Sequence, residues 1–316
     1  MGPVEQRVRI AGALVGVAVP APGSGRVAGV SMAGFRGRAD GPVELRMVPY
    51  PALTVFVDFG DALLVDDASG VGRRGSVVVG LAPGRVRGSG RDIDLLQVRL
   101  SPLVAHAVLD AHPDVGAAVV ALADLWGRDA ARIRERLRAA GSWEDRFAIM
   151  TATLARRREA GRAVDGEVAH AWARLVRSRG RVRVERLAAE VGWSRKRLWS
   201  RFRSQVGLTP KRAATLVRFD HVAHRLAAGH SAALVAAESG FADQSHLSRD
   251  VMAFAGMTAG AVAAAPWLTV DDVAWPRDIS PIRRAAPRRS WAHERQGPTG
   301  HPHPPRHPRL AGDVRG

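Results

Sequence analysis

The chain of 316 residues contains no cysteine. Disulfides, zinc–thiolate sites and cysteine nucleophiles are therefore excluded, and the absence suits a reducing compartment. Lysine is nearly missing as well: Lys196 and Lys211 are the only two, so 45 of the 47 cationic residues are arginine. Beside abundant alanine and glycine, such an excess points to a GC-rich bacterial genome, and arginine content alone says little about function. A membrane-spanning run is also lacking. Ile10–Val19 follows Arg7 and Arg9 and precedes Pro20-Ala21-Pro22-Gly23, a faint imitation of an export signal. It is too short to span a bilayer and reads as a β-strand ending at Pro20. No membrane partner is expected. Catalytic signatures are absent: there is no HExxH, GxSxG or Walker loop, and Gly88-Ser89-Gly90 lacks the third glycine and following helix of a dinucleotide loop. No histidine precedes His106, and His112 comes next. A lone histidine beside an apolar stretch is read as structural. The expectation is a protein that is not an enzyme and holds no metal and no cofactor.

What the chain does have is positive charge, unevenly placed. Its formal net charge is +17, and residues 168–268 carry 16 Lys and Arg against 6 Asp and Glu. Residues 276–316 carry 9 against 3, whereas residues 1–167 carry 22 against 19. A basic second half beside a near-neutral first half is the footprint of a nucleic-acid-binding region.

Within that basic half, Val184–Thr209 reads as a helix-turn-helix. Leu187, Ala188 and Val191 give the first helix an apolar stripe, and Gly192 breaks it. Ser194 is a good N-cap for a second helix, because its hydroxyl satisfies an orphan backbone N–H. Trp193 before the cap and Leu198 at the fourth helical position form a hydrophobic staple. Leu198, Phe202 and Val206 repeat at i, i+4 and i+8, an inward stripe. Arg195, Lys196 and Arg197 then fill the first turn. Cations there oppose the helix dipole at roughly 0.3–1 kcal/mol each, which makes sense if a polyanion lies against the helix. A solvated basic face is the plainer alternative.

A second copy of the pattern follows. Leu187-Ala188-Ala189-Glu190-Val191-Gly192 recurs as Val235-Ala236-Ala237-Glu238-Ser239-Gly240, Leu198 as Leu247, and Gly207-Leu208-Thr209 as Gly256-Met257-Thr258. The second turn is one residue longer, with Asp243 in the capping position. Between the copies, about Lys211–Ala228 reads as one helix closed by Gly229. Leu187-Ala188, Gly192, Ser194, Leu198, Phe202, Gly207, Pro210, Arg218, Gly240-Phe241, Asp243, Ser245, Leu247, Ser248-Arg249 and Gly256 together make this segment resemble the DNA-binding domain of the AraC/XylS family of transcriptional regulators. The resemblance covers roughly Val168–Trp267. It departs from the family at Val251, where phenylalanine is usual, at Met252-Ala253, usually a basic pair, and at Ala259, usually proline. A smaller core and fewer phosphate contacts are expected in the second unit. Regulators of this kind share their DNA-binding domain with DNA-repair methyltransferases, which the missing cysteine excludes.

The resemblance implies an α+β chain. It has a β-rich cupin-like or jelly-roll sensor domain over 1–115, a helical connector over 116–160, an all-α double helix-turn-helix domain over 166–268, and a basic Pro/Arg/His-rich tail over 276–316. The β reading of the first part rests on short runs punctuated by Gly, Pro and Asp: Val8–Val19, Arg26–Met32, Val43–Val48, Leu53–Phe59, Ala62–Val65, Ser76–Gly80 and Leu95–Leu100. A metal-binding cupin would need clustered histidines there, and they are absent. Helices are expected over 102–160, either as a dimer interface or packed on their own sensor domain. Residues 159–167 read as a linker, Trp267 closes the DNA-binding domain, and the tail, with little to bury, reads as disordered. Its His301, His303 and His307 are taken as incidental.

By position in the family pattern, base contacts fall to Lys196, Trp199 and Ser200 in the first unit. In the second they fall to Gln244, Ser245 and Arg249, with His246 beside them. Lys196 and Arg249 suit guanine, and Gln244 suits adenine. Arg195, Arg197 and Arg203 are assigned to phosphates, and Ser194 and Asp243 to helix caps. The implied partner is double-stranded DNA, in the cytoplasm. Further expected partners are a small-molecule effector at the N-terminal domain, a second copy in a homodimer and, for an activator, RNA polymerase. The competing readings are a non-specific architectural DNA-binding protein, which would spread its basic residues over both halves, and a cupin-type enzyme fused to DNA-binding helices.

Overall fold

The computed structural model describes residues 3–10, 12–21, 27–60, 64–66, 72–81, 86–109 and 119–275. The tail and His112 lie outside the described residues. The N-terminal part forms an antiparallel sheet from β1 (Val4–Ile10), β2 (Ala13–Val19), β3 (Val30–Met47), β4 (Leu53–Asp58), β5 (Leu64–Asp66), β6 (Gly72–Arg74), β7 (Val77–Val79), β8 (Val86–Leu100) and β9 (Val119–Ala121). Its path is β1-β2-β3-β8-β4-β7-β9, with β5 joined to β8 and β6 to β5.

Turn residues misplaced several expected strand ends. Val8–Val19, expected as one strand, is a hairpin in which Val4–Ile10 pairs with Ala13–Val19 around Gly12 at φ +89°. Asp40-Gly41-Pro42 reads as a break, yet β3 continues from Val30 to Met47 and absorbs it as a shift of register between Arg38 and Val43. The strand expected from Leu95 begins at Val86. Its glycine-rich, charged first half has no apolar period and is held by backbone pairing to β3 on one side and β5 on the other. Strand character also reaches past residue 115, because β9 pairs with β7.

The sheet is covered on both faces, which explains why all six residues of β4 are buried instead of alternating. One face, with Val55, Val57, Leu96, Val98 and Leu100, meets the helices that follow. These are α1 (Pro102–Val108), α2 (Leu122–Trp126), α3 (Arg128–Ala139) and α4 (Trp143–Ala160). Trp126, Ile133, Leu137, Phe147, Met150 and Leu154 share that core. The apolar residues of these helices therefore pack on their own sheet. Trp143 lies directly on Gly34 of β3, where any side chain would meet its ring. The other face curls around a second core of Val15, Val17, Phe35, Phe56, Val77 and Leu95.

Within the expected linker 159–167, α4 ends at Ala160 and α5 (Gly166–Arg177) starts at Gly166, so residues 161–165 connect the two helices. Then come α6 (Val184–Glu190), α7 (Arg195–Val206), α8 (Pro210–Ala227), α9 (Ala232–Ser239), α10 (Gln244–Ala255), α11 (Ala259–Ala263) and α12 (Pro266–Ala274). The apolar residues of α5, α6 and α7 belong to the same core as α1, α4 and the sheet. Those of α9, α10 and α11 form a separate core with the second half of α8. Trp267 lies within α12, which returns to the sheet, and Val270, Ala274 and Trp275 fill the second core against β1, β2 and β3. Among the described residues no helix is long and apolar enough to cross a membrane.

Candidate nucleic-acid interface

The first unit is built as a cap, a turn and a two-faced helix. Gly192, at φ +67°, ends α6 and lets Trp193 N–H reach back to the Ala188 carbonyl at 3.0 Å. The Ser194 hydroxyl accepts a 3.2 Å bond from Arg197 N–H and opens α7. Leu198, Phe202 and Val206 are buried, and Gly207 closes the helix in the left-handed conformation. Arg195, Lys196, Arg197, Trp199, Ser200 and Arg203 are all exposed. Trp199 is 46% exposed.

The cations of this face are oriented by aromatic rings more than by carboxylates. The Arg197 guanidinium sits 4.6 Å from the Trp193 ring and that of Arg203 5.3 Å from the Trp199 ring. Arg195 has an exposed partner in Glu185 at 3.5 Å, a weak pair in water. Lys196 makes no ion pair among the described residues.

The second unit repeats the design. Asp243 caps α10 by accepting a 2.7 Å bond from His246 N–H, and Gly240 and Gly256 take left-handed conformations at the ends of α9 and α10. Leu247 and Val251 are buried, while Gln244, Ser245 and Arg249 are exposed. His246 is half-buried, edge-on to the Phe241 ring at 5.3 Å and 3.9 Å from Asp250. It is thus more constrained than its neighbours. Val251 is buried, and three residues on the Phe254 ring stacks on Phe219 at 5.6 Å.

Two helix-turn-helix units joined by the single long helix α8 thus each carry an exposed polar face. The family described as a helix-turn-helix domain matches residues 187–265, from within α6 to just past α11. This segment is an AraC-type helix-turn-helix domain. Such a domain marks a DNA-binding transcription regulator. Comparison with curated proteins gives no match. Among solved structures, ToxT from Vibrio cholerae is 12% identical, with 75% of this chain and 98% of ToxT covered at a TM-score of 0.45. ToxT in a form bound to unsaturated fatty acid is 10% identical, over 75% and 95%, at 0.43. The AraC-like transcriptional activator CuxR is 15% identical, over 60% of this chain and 74% of its own, at 0.31.

Three features around these units escaped the sequence reading, because most of their partners lie on or beside another helix. Arg201, itself exposed, forms a two-point pair with Asp165, at 2.7 and 2.8 Å, just before α5. That bond holds the Asp165 carboxyl below its usual range. Glu190 gathers Arg174, His170 and Arg186, and hydrogen bonding from Arg174, reinforced by the other two, outweighs its burial and takes its carboxyl down to about 2. Arg218 of α8 bridges to α10, 3.2 Å from Asp250 and 4.6 Å from the Phe241 ring. Among the described residues no group of three or more His, Cys, Asp or Glu is placed to hold a metal ion.

Proposed function

We propose that this protein is a sequence-specific transcription regulator that lays α7 and α10 into successive major grooves on one face of DNA, about one helical turn apart. The observation that carries this reading is the exposed face of α7. Three cations and an uncovered tryptophan stand where the helix dipole disfavours positive charge, on a helix whose other face is sealed in the core. Lys196, Trp199 and Ser200 read bases from α7. Gln244, Ser245 and Arg249 do so from α10, with His246 in support. Arg195, Arg197 and Arg203 hold phosphates, which position the protein without specifying sequence.

The β-domain takes a small-molecule effector in the interior of its sheet and modulates DNA binding. A homodimer draws no support from α1–α4, whose apolar residues are buried against the sheet. If the protein activates transcription, RNA polymerase is its further partner. The test is a selection from random DNA with the full chain at about 150 mM salt. A bipartite motif spanning two adjacent major grooves is expected. No enriched motif, with affinity falling steeply in salt, would leave only a non-specific architectural role.

A further inference from the structure

The corner between α5 and α6 reads Arg177-Ser178-Arg179-Gly180-Arg181-Val182-Arg183. Val182 and Val184 pack on the core, and Arg181 and Arg183 stand exposed beside them. Arg177 and Arg179 are exposed too, and none of the four pairs with a carboxylate among the described residues. Glu190 is held by Arg174 and Arg186 instead. The corner itself is pinned. The Ser178 hydroxyl accepts a 3.2 Å bond from Val182 N–H and donates at 3.1 Å to the Leu175 carbonyl. Gly180, at φ +72°, lies against the backbone of α8, where a side chain would meet Ala214 and Arg218. Arg179 takes φ +54° and is the only non-glycine residue with positive φ among the described residues. Glycine or asparagine usually fills that conformation at the end of a helix.

This cluster borders the first recognition helix. Arg183 is the N-cap of α6, and Glu185 in the first turn of α6 lies 3.5 Å from Arg195 in the first turn of α7. The corner thus adjoins the end of α7 that presents Arg195, Lys196 and Arg197. The second unit has nothing equivalent. The offset of 48 positions that carries Leu187 to Val235 carries Arg177, Arg179, Arg181 and Arg183 to Arg225, Ala227, Gly229 and Ser231. Arg225 is paired with Glu238 at 2.6 Å, and the other three bear no charge. Ser231 caps α9 through its hydroxyl, whereas Arg183 makes no side-chain cap bond. A cation at the N-cap opposes the helix dipole, and stability alone favours the serine. Positive charge is therefore gathered on one unit at positions where helix formation does not call for it.

We propose that the α5–α6 corner grips the phosphate backbone of DNA beside the groove entered by α7, through Arg177, Arg179, Arg181 and Arg183. The inference rests on reading α7 as a DNA-reading helix and adds a contact surface outside both recognition helices. A guanidinium donates two parallel bonds to phosphate oxygens, and a duplex offers one negative charge per about 1.7 Å of its axis. An acidic protein segment would match the charge equally, but the corner borders the helix that lies on DNA. Because the corner is pinned to α8 and the core, little order is lost on binding. Such contacts position the protein without specifying sequence. The grip is one-sided, so the first unit supplies most of the affinity common to all sequences.

Fluorescence anisotropy on the full chain, between about 50 and 200 mM salt, tests this with two duplexes, one carrying the motif enriched above and one of scrambled sequence. In the combined variant Arg177→Gln, Arg179→Gln, Arg181→Gln and Arg183→Gln, the slope of log affinity against log salt should fall by about 0.9 per lost contact, hence by about 2–4. The fall should be the same on both duplexes, with the preference between them unchanged. A control of equal charge, Arg128→Gln, Arg136→Gln, Arg138→Gln and Arg158→Gln at exposed positions of α3 and α4, should keep the natural slope. Arg181→Gln and Arg183→Gln as single changes, each expected to lower the slope by about 0.9, keep the test decisive if the combined variant does not fold. An unchanged slope in the corner variants, an equal fall in the control, or a loss confined to the motif duplex would each overturn the inference. The natural chain's preference for the motif reads the regulator proposal separately, so an unchanged slope with that preference intact sinks the corner alone. If no motif is enriched, the scrambled duplex still reads the slope.

Discussion

Lys196 and Arg249 stand on equivalent exposed faces of two helices whose buried faces are fixed by Leu198 and Leu247. Each should behave as a base-reading contact. Lys196→Ala or Arg249→Ala is expected to cost about 1–3 kcal/mol at one base position and to relax specificity there. Titration of the protein against a set of single-base operator variants checks this, and a uniform loss across all sequences would reassign the residue to phosphate. Gly34 is a residue-scale constraint of a different kind. It is glycine because Trp143 occupies the space a side chain would need. Gly34→Val should destabilise the fold by about 1–3 kcal/mol through overpacking, read as a lower urea midpoint, with DNA specificity retained by the molecules that remain folded.

At the scale of elements, the two recognition helices depend on their caps. Asp243 supplies the only side-chain bond to the first backbone N–H groups of α10 among the described residues, and its charge suits the positive end of that helix. Asp243→Ala should cost about 0.5–2 kcal/mol, seen as faster hydrogen exchange in α10 and a lower melting temperature, while Asp243→Asn should retain most of the stability. The helix-turn-helix pairs were legible in the sequence because their signals are local: a cap, a glycine and an apolar period lie within twenty residues of one another. The strands were less so. Turn residues at Asp40-Gly41-Pro42 mark a break only when no partner strand bridges them, and β8 bridges them on its first half.

The whole molecule is held by contacts between distant segments. Cores on both faces of the sheet continue into the helical part, through α1, α4 and α7 on one face and through α12 on the other. The Arg99–Asp271–His224 chain ties the second connection, and it titrates. Burial alone would lower the His224 pKa, but Asp220 and Asp271 override it and raise it to about 9. Because the folded value lies above the ordinary 6.5, stabilisation from this charge is complete below about pH 6.5 and is lost as pH rises through about 9. Urea midpoints measured from pH 6 to 10 should fall over that interval in the natural chain and stay flatter in His224→Gln. Glu190 works at the acid end. Its carboxyl is depressed to about 2, so its contribution is present above about pH 4.5 and is lost as pH falls toward 2.

The sequence by itself determined the AraC-type domain, its two units, their caps and the residues on their exposed faces. Those properties follow from helical period and from neighbours a few positions apart. Only the tertiary structure decided that α12 returns to the sheet, that Asp271 meets Arg99 across 172 positions, and that Arg201 pairs with Asp165. Periodicity tells which side of a helix is apolar but not which distant surface will cover it. The pairing of a buried charge is fixed by the fold that brings its partner within reach.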